Sequence, residues 1–325
     1  MLSKKILSGL TLSIGLMAAS HTYAASACNT EPPAIWADLM DKRDGKVDHI
    51  ESEYNDIFVT KSRTYLKMSF RRYGKNYTES IVNMGKRDDL PVAYAKYMTL
   101  GAAYSPNLKT MLMIGLGGGS TTSYMARAIP DLKVDVVEID PGVITAARKY
   151  FDLCNSDRYN IHKTDGRIFL KRNKTKYDII MIDAFRGGYI PFHLLTQEFF
   201  QLMSDRLTPE GVVVFNLHGN TKLFVSAVKT LGSVFADVDL FRVNSSVGNV
   251  VAVAYNNPAD GMSAVFERAI TRQNEYGFAY PITSLIQKRM PASKLDIFAK
   301  AQLLTDDFAP VNLYEKTQLK TMPKW

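Results

Sequence analysis

The 325-residue chain has few cysteines, no histidine pairs with metal-binding spacing and no long apolar run after its N-terminus. It contains only two cysteines, Cys28 and Cys154, which excludes a disulfide-rich scaffold and a cysteine-based zinc cluster. Its five histidines are scattered singly, without HExxH or HxxxH spacing, so no metal site is expected. After the N-terminus the chain has no run of about 18 apolar residues, so no stable membrane span is expected. Hydrophobic residues make up 46% and charged residues 22%, which is typical of a globular protein rather than a disordered one.

The first 27 residues lack acidic side chains and have the pattern of a targeting segment. Two lysines precede an uncharged apolar run over 6–19, and 22–24 offers a small-x-small cleavage pattern. We therefore expect a secretory signal peptide over 1–27 and export to the periplasm or out of the cell. The sequence around Cys28 matches a lipoprotein site less well, because the usual leucine is missing.

Export would place Cys28 and Cys154 in an oxidising compartment, where a disulfide can form. Two separate thiols are the alternative, one near the new N-terminus and one in the core. Such a bond closes a long loop, and the loss of chain entropy would be worth roughly 4–5 kcal/mol.

A small antiparallel unit is expected ahead of the main fold. Residues 28–46 have the composition of a linker, and the alternation over 47–86 predicts a β-hairpin domain with three strands. Basic and aromatic residues interleave over 61–77, which we interpret as a solvated face backed by a packed one. The net charge of +8 is mild, and no nucleic-acid partner is expected.

Residues 87–257 alternate between strand and helix patterns. The strand patterns lie at 109–114, 133–139, 159–163, 177–182 and 211–217, and those at 109–114 and 177–182 are apolar. Regular alternation of this kind predicts an α/β fold with a mostly parallel sheet, and residues 258–325 have the pattern of a helical tail. Ligands of such sheets bind at the carboxyl ends of the strands, so the candidate site residues are sought there.

The first of these strands ends in a glycine-rich loop, and the second ends in an acid. Glycines allow a tight turn and a close approach of a ligand to backbone N–H groups. Glu138 follows at the spacing of an acid that binds ribose hydroxyls, whereas Asp140 is predicted to cap the next helix. The pattern predicts nucleoside binding by Gly115, Gly117, Gly118 and Glu138, with a purely structural turn as the alternative.

Carboxylates also follow the next two strands of the pattern. Asp165 can accept a hydrogen bond from an adenine amino group, cap the following helix, or do both. Asp183 lies where an amine substrate would arrive, and a carboxylate there can hold the amine and accept its proton. The alternative for Asp183 is a structural pairing with Arg186 or a loop amide. Tyr189 is a candidate for lining the same pocket.

Together these motifs resemble the spermidine synthase (polyamine aminopropyltransferase) family, in its spermidine synthase-like branch. The resemblance covers roughly 47–256 and rests on the glycine loop, on the motifs at 137–141, 165–167 and 177–183, and on the hairpin at 52–59. It implies a small antiparallel β-domain followed by a Rossmann-like, methyltransferase-type domain. The implied activity is transfer of an aminopropyl group from decarboxylated S-adenosylmethionine to a small amine acceptor, without a metal. The resemblance also allows a homodimer.

The resemblance further implies individual roles for five side chains. It places Glu138 on the ribose, Asp165 at the adenine and Asp183 as the catalytic proton acceptor. Asn55 stands at a glutamine of the family's first hairpin, among the cofactor-binding residues, and Tyr94 is placed near the bound aminopropyl group. A late acid pair at 306–307 matches the same branch, and it either enters the site or caps a helix.

Three departures concern recognition of the amines. Gly118 stands where the family's glycine loop carries an aspartate for the donor's amine, and Lys96 replaces an acid. Arg186 lies in the loop that normally has a second aspartate, so Arg186 and Lys96 are candidates for binding an anionic group. Two alternatives to aminopropyl transfer therefore remain open. They are methyl transfer from intact S-adenosylmethionine and non-catalytic binding of a nucleoside or polyamine in the periplasm.

Overall fold

The computed structural model of the chain describes residue 28 and residues 31–186, 189–219, 222–244, 248–256 and 261–308. The signal peptide expected over 1–27 and the last residues of the tail lie outside this part of the chain. Within the described ranges, no helix is both long enough and apolar enough to span a bilayer.

An antiparallel sheet forms first, in the spatial order of the chain. Its strands are β1 (Gly45–Glu51), β2 (Asp56–Ser62), β3 (Tyr65–Arg72) and β4 (Lys75–Asn83). The sequence predicts three strands here, and the structure has four because a turn interrupts the first. The Ser52 hydroxyl stabilises that turn by accepting hydrogen bonds from the backbone N–H groups of Tyr54 and Asn55. Side chains of β2 alternate between buried and half-buried, so one face of the sheet packs on the rest of the protein.

The second sheet has the order β12-β10-β11-β9-β8-β5-β6-β7. Its strands are β5 (Thr110–Ile114), β6 (Lys133–Glu138), β7 (Tyr159–Lys163), β8 (Tyr177–Ile182), β9 (Leu207–His218), β10 (Asp237–Arg242), β11 (Asn249–Tyr255) and β12 (Arg289–Pro291). Neighbours from β9 to β7 run parallel, and β10, β11 and β12 add antiparallel pairs. The expected α/β class, with a mostly parallel sheet behind a small antiparallel one, is confirmed.

Helices cover the large sheet. They are α1 (Ile35–Met40), α2 (Ala93–Met98), α3 (Gly101–Tyr104), α4 (Ser120–Ala128), α5 (Pro141–Tyr150), α6 (Gly166–Arg172), α7 (Gln197–Ser204), α8 (Lys222–Val234), α9 (Gly261–Tyr276), α10 (Ile282–Ile286) and α11 (Asp296–Ala299). Every residue of β8 is buried, which is why its sequence is a continuous apolar run rather than an alternation.

Two segments differ from their predicted character. The segment 28–46, predicted as a linker, contains α1, in which Trp36 is buried and donates its indole N–H to the carbonyl of Tyr150 at 2.8 Å. The tail from 258 is not only helical, because β12 pairs with β10 at the edge of the large sheet. Both differences arise from tertiary contacts that local periodicity does not record.

Of the two alternatives for the cysteines, the structure has the disulfide. Cys28 and Cys154 are bonded, and 126 positions separate them along the chain. Both side chains are buried, so the bond fixes the start of the described chain to the segment that follows α5.

Candidate active site

A cavity of about 780 Å³ opens at the carboxyl ends of β5, β6 and β8 and is closed on one side by β4 of the antiparallel sheet. That volume is within the usual range for a small-molecule site. Most of the predicted site residues line it, namely Asn55, Tyr94, Gly115, Gly117, Glu138, Asp165, Asp183, Arg186 and Tyr189. The parallel topology explains this convergence, because it brings the ends of the strands to one edge.

The glycine loop has two kinds of position. Gly115 adopts a φ of +93°, and a Cβ atom there would lie 2.2 Å from the carbonyl oxygen of Asp183. Only glycine therefore fits where the ends of β5 and β8 meet. Gly118 is not among the cavity-lining residues, and a Cβ atom there would lie 2.6 Å from Phe151 and 2.7 Å from the Ser80 hydroxyl. Gly118 therefore packs closely beneath β4, and its predicted role in cofactor binding stays a prediction.

Glu138 is held by backbone donors. Its two carboxylate oxygens accept hydrogen bonds from the N–H groups of Leu116 and Asp140, each at 2.9 Å. Burial raises the pKa of Glu138, and these hydrogen bonds partly oppose that effect. The geometry fixes the carboxylate at the cavity wall, with acceptor capacity left for a hydroxyl pair of a ligand.

Asp140 caps α5, as the sequence predicts. Its Oδ1 accepts the N–H of Gly142 at 2.7 Å. Its Oδ2 accepts hydrogen bonds from the Ser52 hydroxyl at 2.7 Å and from Nδ2 of Asn55 at 2.8 Å. Asp140 thereby connects the antiparallel sheet to the end of β6 in the large sheet, and it orients Asn55 at the cavity wall.

Asp165 combines two contacts at the start of α6. Its Oδ1 accepts the N–H of Ile168 at 2.9 Å, which is an N-cap, and its Oδ2 lies 2.9 Å from Nε2 of His193. Burial acts to raise the pKa of Asp165, but the hydrogen bonds from His193 and Ile168 outweigh it, and the pKa is lowered. The carboxylate is thus ionised at the cavity edge, and the capping role predicted for it is confirmed.

Asp183 lies just after β8, where it lines the cavity. Its Oδ1 accepts a hydrogen bond from Nδ2 of Asn216 at 2.8 Å, and Asn249 in turn holds Asn216 at 3.0 Å. The Tyr94 hydroxyl donates a second hydrogen bond to Asp183. Burial raises the pKa of Asp183 in spite of these donors. A half-buried, oriented carboxylate with a raised pKa is suited to accept a proton.

Sequence reasoning missed Glu79, a half-buried residue of β4 that lines the same cavity. Burial, and then the negative charges of Asp183 and Glu138, raise the pKa of Glu79 to about 8. No local motif marks this residue. The one signal in the sequence is that an acid occupies an inward position of β4, in a strand whose side chains otherwise alternate between inward and outward positions.

The rim of the cavity is basic and aromatic. The Arg72 guanidinium donates a hydrogen bond to the carbonyl of Arg186 at 3.0 Å and lies 4.4 Å from the centre of the Tyr189 ring. Arg186 itself is exposed. Lys96, predicted as a second anion-binding candidate, is not among the lining residues, and its amine lies 5.7 Å from the ring centre of Tyr280.

The acid pair at 306–307 does not line the cavity. The first of the two residues, Asp306, does not cap a helix either. Its carboxylate pairs with Arg167 of α6 and accepts a hydrogen bond from the Thr196 hydroxyl at 2.8 Å. The contact fastens the tail behind α6, next to the loop that holds His193.

In the described part of the chain, one group of side chains has the spacing of metal ligands. His49, Glu51 and Asp56 lie on β1 and β2, with their ligand atoms within 4.8 Å of one another. None of the three lines the main cavity.

Comparisons with known proteins agree with this geometry. The model of the spermine/spermidine synthase domain matches residues 75–245, more than half of the chain. The polyamine aminopropyltransferase of Vibrio vulnificus is 31% identical over 268 residues, which cover 81% of this chain and 89% of that protein.

Solved structures share the fold. A probable spermidine synthase from Corynebacterium glutamicum superposes with a TM-score of 0.62 at 21% identity, covering 82% of this chain and 98% of that one. A spermidine synthase in complex with the transition-state analogue AdoDATO gives 0.62 at 19% identity, covering 78% and 87%. Fold, cavity and family match together define a transferase of the aminopropyltransferase class. The chain belongs to the spermine/spermidine synthase family.

Proposed function

We propose that the protein transfers an aminopropyl group from decarboxylated S-adenosylmethionine to a small amine. The observation that carries the proposal is Asp183, a half-buried carboxylate with a raised pKa, held by Asn216 and Tyr94 in the cavity that Glu138 also lines. The family match and the relative that binds AdoDATO support this choice of donor.

In the proposed reaction, the acceptor amine attacks the propyl carbon that is bonded to the sulfonium sulfur. The new C–N bond forms as the C–S bond breaks, and its electron pair neutralises the sulfur to give methylthioadenosine. The attacking nitrogen loses a proton, which Asp183 accepts. Glu138 binds the ribose, Asp165 lies at the adenine, and the hydrogen bonds from Asn216 and Tyr94 hold Asp183 in line with the nitrogen.

The test separates binding from chemistry. Asp183→Asn should lower kcat by roughly 10²- to 10⁴-fold, because general-base catalysis contributes about that much. Its affinity for methylthioadenosine, measured by calorimetry, should stay within a factor of about three, since the acceptor amine is absent from that ligand. Unchanged turnover in Asp183→Asn, or no binding of methylthioadenosine to the wild type, would contradict the proposal.

We also propose that the mature protein acts outside the cytoplasm. The pattern over 1–27 and the Cys28–Cys154 disulfide support export, because such bonds persist mainly in oxidising compartments. Cell fractionation of a tagged full-length chain, with mass spectrometry of its N-terminus, tests this. A cytoplasmic protein that retains Met1 would contradict it.

A further inference from the structure

Glu79 lines the cavity, and the strand that carries it lies beside the glycine loop. Its own carbonyl oxygen is 3.7 Å from the position of a Cβ atom on Gly117. The next residue along β4, Ser80, lies 3.3 Å from Ser120 between their hydroxyl oxygens. β4 therefore crosses directly over the loop that opens α4, on the donor side of the cavity.

Charge in this cavity is unbalanced in the direction of a cationic ligand. The titratable groups that act on Glu79 are Asp183 after β8, Glu138 at the end of β6 and Tyr94 of α2. Asp165 is a fourth carboxylate at the edge of the same cavity. The negative charges of Asp183 and Glu138 repel that of Glu79, and a bound cation relieves that repulsion. The exposed Arg186 lies at the rim of the same cavity.

The glycine loop itself has no room for the carboxylate that related loops carry. A side chain at Gly118 would collide with Phe151 and with the Ser80 hydroxyl. A carboxylate that serves the donor must therefore come from another element, and Glu79 is the carboxylate of the antiparallel sheet that lines the cavity beside this loop.

We propose that Glu79 binds the terminal ammonium of the donor's aminopropyl chain, in place of an aspartate in the glycine loop. This inference rests on the proposed function and adds a specificity-determining residue to it. Intact S-adenosylmethionine carries a carboxylate beside its amine and would bring a like charge toward Glu79. The residue therefore also selects the decarboxylated donor.

The binding of a cation to Glu79 should release the proton that this carboxyl holds in the empty cavity. We would titrate the protein at pH 7 with decarboxylated S-adenosylmethionine, without acceptor, by isothermal titration calorimetry. Repeating the titration in two buffers of different ionisation enthalpy gives the number of protons released on binding. Wild type should release close to one proton per donor bound, and methylthioadenosine, which lacks the ammonium, should release about none.

Glu79→Gln should abolish this proton release and weaken donor binding by roughly 10- to 100-fold, the loss expected for one charged hydrogen bond. Its affinity for methylthioadenosine should change less than about threefold. Glu79→Asp keeps the carboxylate and should retain the proton release, which a merely structural role would not predict. Glu267→Gln, the same change on an exposed residue of α9, is the matched control and should behave as wild type.

Two results would overturn the inference while leaving the proposed function intact. One is a Glu79→Gln variant that turns over and binds the decarboxylated donor as wild type does. The other is proton release that persists in that variant. If the wild type bound neither nucleoside, both the inference and the proposed function would fail.

Discussion

Replacing Glu79 by glutamine should stabilise the ligand-free protein at neutral pH. The pKa of this carboxyl is raised from 4.5 to about 8, so between those values the folded state holds a proton that the unfolded state has lost. Stability therefore falls as pH rises through this window. From 4.5 to pH 7 the interval is about 2.5 pH units, and each corresponds to about 1.4 kcal/mol. Wild type should thus be roughly 3 kcal/mol less stable than Glu79→Gln at pH 7.

The assay is urea unfolding of both proteins from pH 4 to pH 9. The difference in the free energy of unfolding should be near zero at pH 4, grow through neutral pH and level off above about pH 8. Glu267→Gln, on the surface of α9, should follow wild type throughout. A difference between wild type and Glu79→Gln that does not vary with pH would refute the reasoning, because it would show that Glu79 ionises normally in the cavity.

Three further predictions concern the scaffold. Reducing the Cys28–Cys154 bond should lower the free energy of unfolding by up to roughly 5 kcal/mol, and equal urea midpoints with and without reductant would contradict this. Gly115→Ala should destabilise the protein by about 3 kcal/mol or more, because its Cβ would lie 2.2 Å from a carbonyl oxygen. Gly232→Ala, in open space on α8, should instead stabilise the protein by about 0.5–1 kcal/mol. Similar melting temperatures for the two variants would contradict this prediction. Arg72→Ala should raise the KM of the amine acceptor without changing nucleoside affinity, since it removes the hydrogen bond that Arg72 donates to the carbonyl of Arg186 at the cavity rim. An unchanged KM would argue against that role.

The residues that sequence reasoning found are those with local signatures. Glu138, Asp165 and Asp183 each lie at or just after the end of a predicted strand, and the parallel topology then brings the strand ends together. The helix caps of Asp140 and Asp165 were predictable for the same reason, since a cap depends on the next few residues alone.

What the sequence could not show depends on how the two sheets meet. Glu79 enters the cavity only because β4 crosses the glycine loop, and strand periodicity does not encode that crossing. Lys96 has the spacing of a site residue but lies against Tyr280 instead. Gly118 occupies a motif position whose space Phe151 takes. In each case the neighbours come from elements that are distant in sequence, and local patterns do not record them.

The part of the cavity predicted to bind the amines is where this chain departs from the spermidine synthase pattern. The acids expected there are absent from the glycine loop and from the segment after Tyr94. Asp183 and Glu79 still supply two carboxylates to the cavity, and the negative charge of Asp183 raises the pKa of Glu79. A cationic ligand is therefore the kind that this cavity stabilises best.

The most direct test of aminopropyl transfer is to let the protein choose its donor. The mature chain would be incubated with equal amounts of decarboxylated and intact S-adenosylmethionine and with a panel of small diamines, and the nucleoside product would be measured by mass spectrometry. We predict methylthioadenosine in amounts matching an aminopropylated diamine, and none with Asp183→Asn. Formation of S-adenosylhomocysteine instead, with a methylated acceptor, would contradict the account.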